Sequence, residues 1–300
     1  TRRGVNPTPS ARIKCDQIAL GHQSHQVVEA RDCEVAHLLL IIVVSCAAFL
    51  TSGLTFFSGF GLGTLLLPFF LIVFPPPVAV AATAAVHLVN NLFKIMLIGR
   101  HTVWRVWLTF GIPAAFAAFV GAILLGLLAG GEPILEYAFM GRMAIITPVK
   151  LIIGILVIIF GIFDLLPSLH DLKIDRKYLP LGGALSGFFG GLSGHQGAMR
   201  ATFLVKAGMG KEGFIATGIA CSILVDITRL SVYGATFFAG NFQMVADSGG
   251  IELLLSATGA AFLGAILGRR LLDKVTLKSI RIFVGSLMLL TGVLVSTGIV

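Results

Sequence analysis

Asp226 and Arg229 lie three positions apart in the apolar tract Phe214 to Ala239. On a helix that spacing puts both on one face, within reach of each other. Asn91 and Lys94 repeat the geometry in a second apolar tract, Val78 to Ile98. An ionised side chain facing hydrocarbon costs roughly 3 kcal/mol or more, so these groups are expected to face the protein interior. Two roles are open to Asp226 and Arg229: a structural ion pair, or substrate binding and gating. Lys94 and Arg229 also stand near one end of their tracts, where a long side chain could reach the membrane surface instead. Arg200 falls in the first turn of a short segment, Ala198 to Ala207. A cation there opposes the helix dipole unless an anion shares the position, which points to an anion-facing role.

Glycines flank these residues. Gly59, Gly61 and Gly63 precede a short apolar segment, Thr64 to Phe74, closed by Pro75-Pro76-Pro77. Gly194 and Gly197 precede the short segment that carries Arg200. Glycine lets a chain turn sharply and lets a ligand approach the backbone. The first N–H groups of a following helix are unpaired and carry partial positive charge. Two such N-termini meeting near the membrane midplane form an anion site without any side chain. Close helix packing is the alternative use of such glycines; their duplication ahead of two unusually short segments favours the site. His195 and Gln196 lie inside the second turn, and His87 and Asn90 lie on the tract of Asn91. Imidazole can donate to an oxyanion or carry a coupled proton, since it titrates near neutral pH. Hydrogen bonds to carbonyls freed by the turns are the plainer use.

The elements that position such groups are apolar helices. Of the 300 residues, 56% are hydrophobic and 12% charged, about half the charged share of a soluble domain, so apolar surface must face lipid. The runs Leu38 to Phe57, Val78 to Ile98, Val106 to Ala129, Leu151 to Phe163, Phe214 to Ala239, Leu253 to Leu267 and Ile282 to Val300 approach the ~20 residues of a spanning helix. They do not alternate as barrel strands do. The sequence therefore predicts an all-α polytopic membrane protein, multi-pass in the cell membrane.

The chain also repeats itself. Thr83 corresponds to Thr217 and Asn91 to Asp226, offsets of 134 and 135 that bring the two glycine turns into register. Residues 1–36 form a polar extension, expected to be disordered; 37–166 form the first transmembrane repeat, 167–178 a cytoplasmic linker and 179–300 the second repeat. Each copy reads as a helix, a short broken or re-entrant helix after its glycine turn, and three full helices. An odd number of crossings reverses the second copy, giving inverted repeats about an axis in the membrane plane. Following the crossings, Arg100, Arg105, Lys173, Arg176, Lys177, Lys206, Lys211, Arg269, Arg270, Lys274, Lys278 and Arg281 collect on one side. Positive loops stay cytoplasmic, which leaves both termini extracytoplasmic.

Other classes fare worse. The net charge of +8 sits in loops, where membrane orientation explains it, and no nucleic-acid partner is expected. Cys15, Cys33, Cys46 and Cys221 have no metal-ligand spacing. An intramembrane enzyme using His195 and Asp226 lacks a nucleophile–base pair, a zinc motif or a cofactor signature. No cofactor, metal or catalytic residue is expected.

With these motifs the chain resembles the sulfite exporter TauE/SafE family of membrane permeases, over both repeats. Gly59-Phe60-Gly61-Leu62-Gly63-Thr64-Leu65-Leu66-Leu67-Pro68 matches the family's glycine-rich turn, aliphatics and proline, and Ala82-Thr83 matches its small-residue segment. The second copy departs: Gly194-His195-Gln196-Gly197 replaces a run of glycines, and Thr202 stands where the proline would be. The resemblance implies movement of sulfur-containing anions, sulfite or organosulfonates. Secondary transport by alternating access is the expected mechanism, with an anion channel of the same architecture as the alternative. Which anion, which coupling proton or ion, and whether the protein forms a homodimer are left open.

Overall fold

In the computed structural model, which describes residues 23–58, 62–139, 141–166, 174–238, 249–271 and 277–299, the apolar tracts are helices. The region read from the sequence as the first copy comprises α1 (Gln23–Ser58), α2 (Leu62–Val73), α3 (Pro76–Ile98), α4 (Trp104–Ala129) and α5 (Pro148–Leu165). The second comprises α6 (Leu179–Ser193), α7 (Gly197–Leu204), α8 (Lys211–Tyr233), α9 (Gly250–Leu271) and α10 (Leu277–Ser296). Among the described residues, five stretches are long and apolar enough to cross a membrane: Pro76–His101, Trp104–Ala129, Pro148–Leu165, Lys211–Thr236 and Gly250–Leu267. Their outward faces are greasy, with Met96, Phe116, Leu127 and Leu255 all exposed. Such a belt belongs in lipid.

Local chemistry sets the boundaries. Prolines open α3 and α5, where a missing N–H costs nothing because the first turn leaves it unpaired anyway. The Thr147 side chain accepts from the Lys150 amide and caps α5. Gly194, at φ +84°, ends α6 in the left-handed conformation that favours glycine. α2 has 12 residues and α7 only 8, both short of a span. α1 begins at Gln23, upstream of residue 37, so part of the stretch read as a polar extension is helical. Residues 1–22, with Cys15, lie outside the described residues, as do Gly59 and Gly61 of the first turn.

A two-stranded hairpin, β1 (Leu135–Phe139) and β2 (Arg142–Ile146), joins α4 to α5 in a protein whose sequence predicts helices alone. It is tied to the end of α10: the Tyr137 hydroxyl donates to the Thr297 carbonyl at 2.7 Å, and the Ile145 amide to the Gly298 carbonyl at 3.3 Å.

Small residues let the helices meet backbone to backbone. On α6, a Cβ built at Gly183, Gly187 or Gly191 would fall 2.1, 1.9 or 2.1 Å from the carbonyl oxygens of Phe110, Ala114 and Ala118 on α4. Both series ascend together, so α4 and α6 run parallel. The corresponding pair, α1 and α9, also packs closely, and Gly264 lies against the Phe49 carbonyl. On α5, Gly154 meets Gly292 of α10 and Gly161 meets Gly285. Here one series ascends as the other descends, so these corresponding helices run antiparallel. α3 and α8, which also correspond, pack on each other. Exchanging the two copies thus maps the packing scheme onto itself.

Candidate functional site

The ion pair on α8 is the centre of a fully buried polar cluster. Asp226 Oδ1 accepts from Arg229 Nε at 3.0 Å and lies 2.7 Å from Nη2. Gln196 Nε2 donates to the same oxygen at 3.2 Å, and His87 Nδ1 stands 2.7 Å from Oδ2. One carboxylate therefore joins α3, α8 and the second glycine turn. Asn91, one turn on from His87, places its amide nitrogen 3.2 Å from His87 Nε2. His87 is held between Asp226 and Asn91, the two residues that correspond in the repeat.

Arg229 does not reach for the membrane surface. Its Nη1 donates to the Gly190 carbonyl at 3.0 Å. A cation at the last turn of a helix is favoured by the dipole. The Gly194 amide shares that acceptor at 3.0 Å, and a Cβ on Gly194 would sit 3.2 Å from Arg229 Nη1. Lys94 is also buried rather than extended outward, donating to the Ser52 carbonyl on α1 at 3.3 Å. Asn90 Oδ1 accepts from the Ser52 hydroxyl at 3.1 Å. Lys94 and Asn90 thus face α1 in a smaller cluster, separate from the ion pair.

The second turn is an interruption inside the protein. α6 stops at Ser193, α7 starts at Gly197, and residues 194–197 are all buried. The Gln196 carbonyl accepts from the Ser186 hydroxyl at 2.9 Å and from the Arg200 amide at 3.0 Å, which pins the turn to both helices. His195 points the other way, toward α5. Its ring stacks on Phe160 with centroids 5.1 Å apart and planes 4° apart. Its Nδ1 lies 3.2 Å from the Ser193 hydroxyl, while Nε2 is buried with no hydrogen-bond partner among the described residues. Gly63, in the first turn of α2, comes close to the same place: a Cβ there would lie 3.8 Å from the His87 ring and 3.9 Å from the Gly194 carbonyl. Arg200 is buried in α7 and donates through Nη1 to Ser222 of α8. Ser222 is one turn before Asp226, so Arg200 and the ion pair occupy one face of α8.

A family model described as sulfite exporter TauE/SafE matches residues 43–295, nearly the whole chain. The protein belongs to the TauE/SafE sulfite exporter family. No curated protein and no solved structure matches it. As a TauE/SafE protein it is a multi-pass membrane permease for sulfur compounds. The serines and the aromatic ring in this core were not picked out in the sequence. Ser222 carried a usable signal, its spacing of four from Asp226. Ser52 and Phe160 carried none, since each meets its partner only through packing of helices distant in sequence.

Proposed function

We propose that this TauE/SafE protein is a secondary transporter of small sulfur-containing anions, sulfite or organosulfonates, which it binds at the second glycine turn. The observation that carries this reading is His195: a buried imidazole nitrogen without a partner, in a turn where one helix ends and another begins. Burying a polar nitrogen unpaired is costly, and a ligand in the turn relieves that cost. The N-terminus of α7 supplies N–H groups and the favourable end of a dipole. Gly194 and Gly197 keep the backbone approachable, and Arg200 supplies a permanent cation one turn into α7. The TauE/SafE membership supplies the substrate class.

Alternating access follows from two inverted copies. The exchange of packing partners and the antiparallel crossing of α5 and α10 support the inversion. Orientation rests on the basic loops. His101 Nδ1 lies 3.1 Å from Glu212 Oε2, which supports the loops carrying Arg100, Lys206 and Lys211 sharing one side; their positive charge favours the cytoplasm for that side and the outside for both termini. An impermeant thiol reagent should fail to label cysteines placed in the 269–279 loop of intact cells; ready labelling reverses the orientation. The binding test is a thermal-shift screen of the purified protein with sulfite, sulfate, thiosulfate, sulfoacetate and chloride. Stabilisation by a sulfur anion over chloride is expected, and an identical response to all five removes the anion site. Saturable flux with counterflow in proteoliposomes distinguishes the carrier from a channel.

A further inference from the structure

We propose that the second glycine turn binds its anion together with one proton, held between His195 Nε2 and an anion oxygen. This inference rests on the transporter reading above. The Ser193 hydroxyl donates to the Phe189 carbonyl at 3.1 Å, so its hydrogen is committed. Its lone pairs are left to accept from His195 Nδ1 at 3.2 Å. A neutral imidazole has a single N–H, and here that hydrogen belongs on Nδ1. Nε2 is then a bare lone pair, buried and without a partner among the described residues. The stack on Phe160 holds the ring plane, and the contact of Nδ1 with Ser193 sets which edge each nitrogen occupies.

A bare lone pair repels an oxyanion, whereas an N–H attracts one. The anion therefore needs a proton at Nε2, and two sources supply the same contact. A protonated oxyanion such as bisulfite brings its own hydrogen, while a sulfonate requires solution to protonate the ring. The charged groups around the turn do not replace that proton. Asp226 and Arg229 are committed to each other, and Arg200, whose Nη1 donates to Ser222, adds cationic charge for the anion but no hydrogen at Nε2. On α5, the buried Asp164 follows Phe160 by one turn. One proton on His195 offsets the charge of one monovalent anion. Because binding couplings are reciprocal, the anion raises proton affinity as much as the proton raises anion affinity.

The test is titration calorimetry of the intact purified protein with methanesulfonate, in buffers of different ionisation enthalpy, from about pH 6 to about pH 8. Wild type should take up about one proton per anion, and its Kd should weaken about ten-fold per pH unit on the alkaline side. With bisulfite the proton arrives with the ligand, so at about pH 6, where the protonated anion predominates, uptake from buffer falls toward zero. Bisulfite binding alone, with methanesulfonate and the sulfite dianion excluded, also supports the proton requirement. His195→Gln presents an amide N–H without titrating, so any binding it retains should show no uptake and a flat pH profile. If that variant does not fold, Ser193→Ala serves: freed from its acceptor at Nδ1, the neutral ring can carry its hydrogen on Nε2, and uptake should fall well below one. Methanesulfonate binding by wild type without uptake, or unchanged uptake in both variants, overturns the proton site alone. Failure of wild type to bind either anion removes the transporter reading itself.

Discussion

Removing one partner of the Asp226–Arg229 pair should damage this protein far more than half as much as removing both. Both residues are completely buried, and Asp226 is approached by Arg229, Gln196 and His87. Arg229→Met leaves a buried carboxylate held only by an amide and an imidazole. Asp226→Leu leaves a buried guanidinium held by the Gly190 carbonyl and the Tyr233 hydroxyl, with no counter-charge. Breaking a buried pair from one side costs about 3–5 kcal/mol. The double variant removes both charges and strands the neutral donors of Gln196 and His87, at about 1–3 kcal/mol. The two single losses should therefore exceed the double loss by at least about 3 kcal/mol. Reversible unfolding in mixed micelles, read by circular dichroism, gives all four corners of the cycle. Additive losses would show that the two charges do not depend on each other, and the buried cluster would lose its centre.

Two further predictions follow from distances. Arg200→Lys should keep the fold yet weaken anion binding, because an ammonium cannot hold two oxygens as a guanidinium can; Arg200→Gln should weaken it by about ten- to a hundred-fold, from ~1.5–3 kcal/mol for a charge-assisted contact. Normal binding and flux in Arg200→Gln, measured by calorimetry and proteoliposome uptake, would reduce Arg200 to a partner of Ser222. Gly187→Ala should lower the melting temperature sharply, since its methyl would fall 1.9 Å from the Ala114 carbonyl. Gly259→Ala, with open space around it, should be neutral or stabilising by up to about 1 kcal/mol, and equal effects in the two variants would contradict the packing of α4 on α6.

Much of this fold is legible in the sequence because lipid imposes simple rules on composition and length. The apolar tracts, the prolines at 75–77 and the glycine at 194 place the ends of α3 and α6 within a few residues. The hairpin between α4 and α5 was not legible. Its strands are short, and they are held by contacts with Thr297 and Gly298, more than 150 residues away. The site was legible to the extent that spacing governs it: Asp226 and Arg229 pair as their separation of three requires. What spacing cannot reveal is which neighbouring helix supplies the remaining partners. Asn90, His87 and Asn91 sit within five residues of each other on α3, yet Asn90 turns to Ser52 on α1 while His87 turns to Asp226 on α8. Only the packing of α3 between those helices separates their roles.

The same packing bears on how access could alternate. Lys94 and Arg229, at corresponding positions, each tie the third helix of a copy to the opening helix of that copy, through the carbonyls of Ser52 and Gly190. The tightest glycine contacts, however, cross between copies: α4 of the first locks onto α6 of the second, and α1 onto α9. Backbones that approach this closely do not slide without separating, so neither pair is a plausible plane of movement. The two copies are therefore interlocked: α1 with α9 and α4 with α6 are close-packed pairs, each made from the opening helix of one copy and the fourth helix of the other. Between them stand α3 and α8, joined by the hydrogen bond of His87 to Asp226. A single charge-assisted bond is worth about 1.5–3 kcal/mol, so if access alternates, the movement is expected between α3 and α8 and not at the glycine seams.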